Sequence, residues 1–131
     1  MTIQLKHEDL LAVSALLVHA SKIDENYSEK EKSLIKSFIK TFAETNANIN
    51  NILIEAENIE KNSNQLLNFT NVIKQNSIEF KSLIIKELWK IVLSDKNEDI
   101  YESNLIRRVC GLIYFPDKMS GDIKLSLKVN K

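Results

Sequence analysis

Residues 19–35 read HASKIDENYSEKEKSLI and residues 91–106 read IVLSDKNEDIYESNLI, and the reading of these two stretches decides the fold. In each, an Asp closes a helix-forming run (Asp24, Asp95) and a Glu follows seven residues later (Glu31, Glu102). An apolar pair comes three residues after each Glu (Leu34-Ile35, Leu105-Ile106). The copies are 71 residues apart (24 to 95), about half of a 131-residue chain. Recurrence at that period predicts two helical hairpins, each turning through an acidic segment and related by a pseudo-twofold. Ser28-Glu29-Lys30-Glu31 has the capping-box form, a Ser cap with Glu three residues on. Asp99-Ile100-Tyr101-Glu102 is the same device with Asp as the cap.

Working outward from the turns, apolar residues recur at helical spacing. Leu10, Val13, Leu17 and Ala20 line one face of a helix over about 7–22, and Leu34, Ile35, Phe38, Ile39 and Phe42 line a second over about 29–44. Ile52, Leu53, Ala56 and Ile59 mark a third; Leu66, Phe69, Thr70 and Ile73 mark a short fourth. The fifth, about 78–93, is apolar over a wide arc from Phe80 to Val92 and is expected in the middle of a bundle. Leu105, Ile106, Val109 and Ile113 give a sixth. Beyond Pro116, Ile123, Leu125, Leu127 and Val129 alternate with period two, a strand-like pattern with no partner strand. A short terminal helix is the expectation for 117–131. The Asn-rich stretches 46–51 and 62–64 are polar linkers between helices, too short to separate domains. The expectation is one all-α domain over 1–131, a bundle of about six or seven helices.

Composition narrows the function classes. The 18 basic and 18 acidic residues cancel, which argues against broad capture of nucleic acid and gives no polybasic drive toward an anionic membrane. Two glycines and one proline are too few for a many-stranded sandwich or barrel. A single cysteine, Cys110, fits a reducing compartment. The apolar run near the start follows Glu8 and Asp9, lacks an A-x-A-like cleavage site and is too short to span a bilayer, so it reads as the first core helix of a cytoplasmic protein. Gly111 and Gly121 are isolated and cannot build a phosphate-binding loop.

The doubled pattern D-G-x-[hydrophobic]-x-x-x-E-x-x-[LI]-[LI] resembles the TerB family of tellurite-resistance proteins. The same fold resembles the TerB-like domain of DnaJ-like co-chaperones. Phe69-Thr70, Leu88-Trp89-Lys90 and Leu105-Ile106-Arg107-Arg108-Val109 add to the likeness, which covers about residues 8 to 127. The resemblance implies an all-α bundle whose acidic turns chelate a metal ion or form an acidic interaction surface, in a tellurite or stress-response setting. The chain departs from the pattern in three places. Glu25 and Lys96 replace the glycine after each Asp, and Glu98 stands where a hydrophobic residue is expected. Glycine there would permit a positive φ at low cost.

Asp24, Glu31, Asp95 and Glu102 are the candidate metal ligands, offering hard carboxylate oxygens suited to calcium, magnesium or manganese. A capping role accounts for Glu31 and Glu102 without any function and is the preferred reading of those two. His7 and His19 lack cysteine neighbours for a zinc site and have no Glu three residues before them for a di-iron bundle. Cys110 is expected as a small core residue. The stripe Lys32, Lys36, Lys40 is a solvated face beside Glu29, Glu31 and Glu44. Arg107 and Arg108, the chain's only arginines, are surface residues able to pair with carboxylates or a protein partner. The function expected is a non-enzymatic binding or scaffold module with protein partners or self-association. The rivals are a co-chaperone-like dimerisation domain and a metal-dependent hydrolase. A deep cleft beside both acidic turns would favour the enzyme.

Overall fold

The structure is a computed structural model describing residues 5–22, 27–44, 47–63, 67–94 and 100–129, with only the backbone at 67, 100–103 and 129. Among the described residues there are seven helices and no strand: α1 (His7–Lys22), α2 (Glu29–Phe42), α3 (Ile49–Lys61), α4 (Leu67–Lys74), α5 (Ile78–Val92), α6 (Ile100–Ile113) and α7 (Asp117–Val129). The helix expected at 7–22 forms over that range. α1 and α2 are separate helices, with Tyr27 and Ser28 non-helical before α2, and α5 ends at Val92 with Leu93 and Ser94 in a turn; Asp24 and Asp95 lie outside the described residues.

Every α1 residue from Val13 to Val18 is buried, along with Leu10, Leu11, Ala20 and Ser21. A helix without a polar side must be surrounded, and α2, α3, α4 and α5 pack around it. On α5, Ile84 and Leu88 are fully buried and Ile91 and Trp89 nearly so, as their spacing predicts. This second central helix also touches α2, α4, α6 and α7. Its Trp89 Nε1 donates to Ser120 Oγ at 2.9 Å, pinning α7 to α5.

Local chemistry fixes the helix ends. Ser28 Oγ accepts from Glu31 N at 3.2 Å, while Glu31 Oε1 accepts from Ser28 N at 2.9 Å, so both halves of the capping box form. Asn48 and Ser77 cap α3 and α5 with their side-chain oxygens, accepting from Asn51 N and Phe80 N. The Asp99 cap lies outside the described residues. In α7 the inward face is Ser120, Ile123 and Leu127, a helical spacing, whereas Leu125 is 61% exposed. The period-two pattern there is therefore a coincidence of composition.

The end of α6 is unusual. Phe115 N donates to Cys110 O at 2.8 Å and Tyr114 N to Gly111 O at 3.4 Å, the paired closure that normally has glycine between helix and exit. Here that place is taken by Tyr114, left-handed at φ 59°, a conformation costing an L-residue roughly 1–2 kcal/mol. Three residues earlier, Gly111 has no positive φ, and a Cβ built on it meets nothing within 4 Å. An alanine would fit there and stabilise the helix by about 0.5–1 kcal/mol.

Truncating Leu88 to alanine should cost ~2–5 kcal/mol, because it empties space between helices that cannot close independently. Urea unfolding measures this; a variant unfolding at the parent's midpoint would contradict the central placement of α5.

Candidate functional site

Where α1 emerges from the bundle it carries His19 and Lys22 in its last turn, where the unpaired carbonyls of a helix end favour cations. Facing them, α3 presents Glu57 and Glu60, three residues apart and so neighbours on one face. His19 Nδ1 lies 3.0 Å from Glu60 Oε2, and Lys22 Nζ donates to Glu60 Oε1 at 3.0 Å. Tyr27 donates its hydroxyl proton to Glu57 Oε2 at 2.8 Å. Lys32 Nζ stands 4.9 Å from the centre of the Tyr27 ring, within cation–π range. The residues on both sides of the first acidic turn, Lys22 before it and Tyr27 after it, are thus tied to the same helix.

Burial of Glu60, whose side chain keeps only 11% of its exposure, favours its neutral form. The hydrogen bonds and positive charges of His19 and Lys22 outweigh that and hold the carboxyl below the ordinary glutamate range. Tyr27 moves the other way. Burial, the bond to Glu57 and the negative charges of Glu57, Glu31 and Glu29 push its phenol far above the usual tyrosine value, so it remains a donor. Burial also lifts the Cys110 thiol to about 11, with Asp117 adding to the rise and the Ser120 hydrogen bond opposing it. Cys110 is 1% exposed, the core residue expected.

Of the four candidate ligands, Glu31 is described in full: it is 1% exposed in the first turn of α2 and its Oε1 accepts from the Ser28 backbone and hydroxyl. A cation at this turn would share Glu31 with the cap. Glu102 stands in the first turn of α6, its side chain outside the described set. Asp24 and Asp95 lie outside the described residues. Their flanks do meet: Lys30 Nζ donates to the Ser94 carbonyl at 2.8 Å, bringing the start of α2 against the end of α5. Among the described residues no three His, Cys, Asp or Glu side chains converge as a metal site.

Glu57, Glu60 and Tyr27 were not among the expected site residues. The sequence signal was Glu57-x-x-Glu60 on the polar side of a helix that apolar positions alone had defined. Two clefts are described. One, of about 590 Å³, opens between α1, α3 and α4 over Leu11, Ala12, Ile59 and Phe69, with Glu8 and Glu55 among its lining. The other, of about 450 Å³, lies between α5, α6 and α7 and includes Trp89, Arg107, Ser120 and Lys124. No described helix is long and apolar enough to cross a membrane.

A sequence model of the family described as Tellurite resistance protein TerB matches residues 10–125, nearly the whole chain. No curated protein and no solved structure matches it.

The depressed Glu60 carboxyl sets a pH dependence. Its contribution is fully present above the unfolded glutamate value of about 4.3 and is lost as pH falls through the lower folded value. Thermal melts from neutral pH downward should therefore show a steeper acid loss in the parent than in Glu60→Gln. Parallel acid limbs would remove Glu60 from the account.

Proposed function

The chain belongs to the TerB family, and we propose that it serves there as a non-enzymatic binding and scaffold module in a tellurite-resistance or stress-type process. In this reading it works in the cytoplasm on protein partners or on a second copy of itself. Its two acidic turns form a weak divalent-cation site. The observation that carries the cation site is the Lys30–Ser94 hydrogen bond, which joins the flanks of the two turns. In this reading Asp24, Glu31, Asp95 and Glu102 are the ligands of one ion, all hard oxygen donors suited to calcium, magnesium or manganese. Carboxylates within ~4–6 Å of one another repel and raise each other's pKa unless a cation or basic group neutralises them. Lys22 is engaged by Glu60 and so is drawn toward α3.

The binding-module reading is favoured over a hydrolase by what the polar side chains do. His19 and Lys22 meet Glu60, and Tyr27 meets Glu57, so these groups fasten α1 and the start of α2 to α3.

Calorimetric titration with calcium, magnesium and manganese should give an affinity no better than roughly 10⁻⁴–10⁻³ M, the weak end of the calcium range. Asp24→Asn combined with Asp95→Asn should abolish it. Absence of binding heat, with no rise in melting temperature at millimolar ion, would leave helix capping as the whole role of Glu31.

A further inference from the structure

The outward face of α6 breaks two local rules within four residues: Gly111 where alanine would fit, and left-handed Tyr114 where glycine would be relaxed. Nothing within the fold requires the first, since the space above Gly111 is empty. Tyr114 is 69% exposed, so burial of its ring does not require the second. A bare backbone on an exposed helix face permits close approach by something outside the chain. A strained, exposed aromatic is a feature that functional surfaces retain.

The same face carries the chain's only arginines. Asn104, Arg107, Arg108 and Gly111 fall at helical spacing on one side, and all are exposed. Neither arginine makes an ion pair among the described residues. From Asn104 to Tyr114 there is no acidic residue. Lys74 of α4 adds a further cation, its Nζ 4.8 Å from the centre of the Tyr114 ring. Beside the face opens the 450 Å³ cleft, which Arg107 and Lys124 help to line and in whose wall lies Trp89, with Lys124 Nζ 4.8 Å over its ring. Arg and Tyr are residue types that dominate binding energy at protein interfaces.

We propose that the outward face of α6, with the adjoining α5–α6–α7 cleft, docks an acidic segment of a protein partner. The segment crosses the bare backbone at Gly111, its carboxylates pair with Arg107 and Arg108, and one apolar side chain enters the cleft toward Trp89. Arginine forks match carboxylates in bidentate geometry, and charge complementarity selects an acidic occupant. A nucleic acid fits less well, because the chain has no net positive charge and Asp117 lies among the cleft residues. The inference deepens the binding-module reading, yet it uses none of the acidic-turn carboxylates, so either can fail alone.

The test is an NMR titration of the full isotope-labelled chain, in chelator, with a library of short peptides rich in Glu and Asp and bearing one Phe or Leu. A lysine-rich library and a single-stranded oligonucleotide are run beside it. The acidic library should shift resonances of residues 104–115 and 120–124. Arg107→Glu with Arg108→Glu should weaken binding by at least about ten-fold. Gly111→Ala and Tyr114→Gly should each raise the unfolding midpoint while weakening binding, a combination that a purely structural role does not produce. The proposal is overturned if the acidic library leaves those resonances unmoved or moves them equally in the double-arginine variant. Equal shifts from the lysine library or the oligonucleotide overturn it too, as does a dimer of the chain, seen by sedimentation, that Arg107→Glu with Arg108→Glu dissociates.

Discussion

A helix with no polar side has no stable place except inside other helices, and α1 is such a helix from Val13 to Val18. That constraint organises the bundle. Four helices pack around α1, and one of them, α5, is itself apolar enough to need its own cover from α6 and α7. Because α1 meets solvent mainly at its ends, its polar side chains are concentrated there. His19 and Lys22 therefore appear where the helix leaves the core, next to the first acidic turn.

Electrostatics then does at that end what packing does in the middle. Taking the Glu60 carboxylate out of water is unfavourable, and it is offset by the His19 ring nitrogen on one oxygen and the Lys22 ammonium on the other. Tyr27, kept protonated by burial and nearby carboxylates, fastens the start of α2 to Glu57. The capping box at Ser28 and Glu31 finishes the frame. Lys22 and Tyr27, on either side of the first acidic turn, are thus both fastened to α3.

How much of this was legible follows the range of each interaction. The capping box at Ser28 is decided within four residues, and the sequence displays it. The burial of Leu88 and Trp89 was legible because a wide apolar arc has one physical outcome. The full enclosure of α1 was less so: one face, Leu10 to Ala20, was evident, but Leu11, Leu16 and Val18 also needed neighbours that only the tertiary packing identifies. The pairing of His19 and Lys22 with Glu60 spans about forty residues of chain (19 to 60) and leaves no periodic trace. In α7 two periodicities overlapped, and docking of Ser120 on Trp89 selects the helical one. The family relation was legible through the doubled Asp-to-Glu spacing even though glycine is missing from both turns.

The contrast between the two hairpins is itself informative. In the first, local preferences agree with the fold: cations sit at the C-terminus of α1, a reciprocal cap opens α2, and a hydroxyl meets its carboxylate. A sequence whose local choices agree with its global structure needs no further explanation for them. On α6 the agreement fails at Gly111, where no packing calls for a glycine, and at Tyr114, where the hydrogen-bonded helix closure imposes a left-handed residue that glycine would occupy without strain. Departures of that kind are expected where a surface meets something other than water. The first hairpin thus behaves as frame, and α6 of the second carries on its outer side the chemistry of an interface.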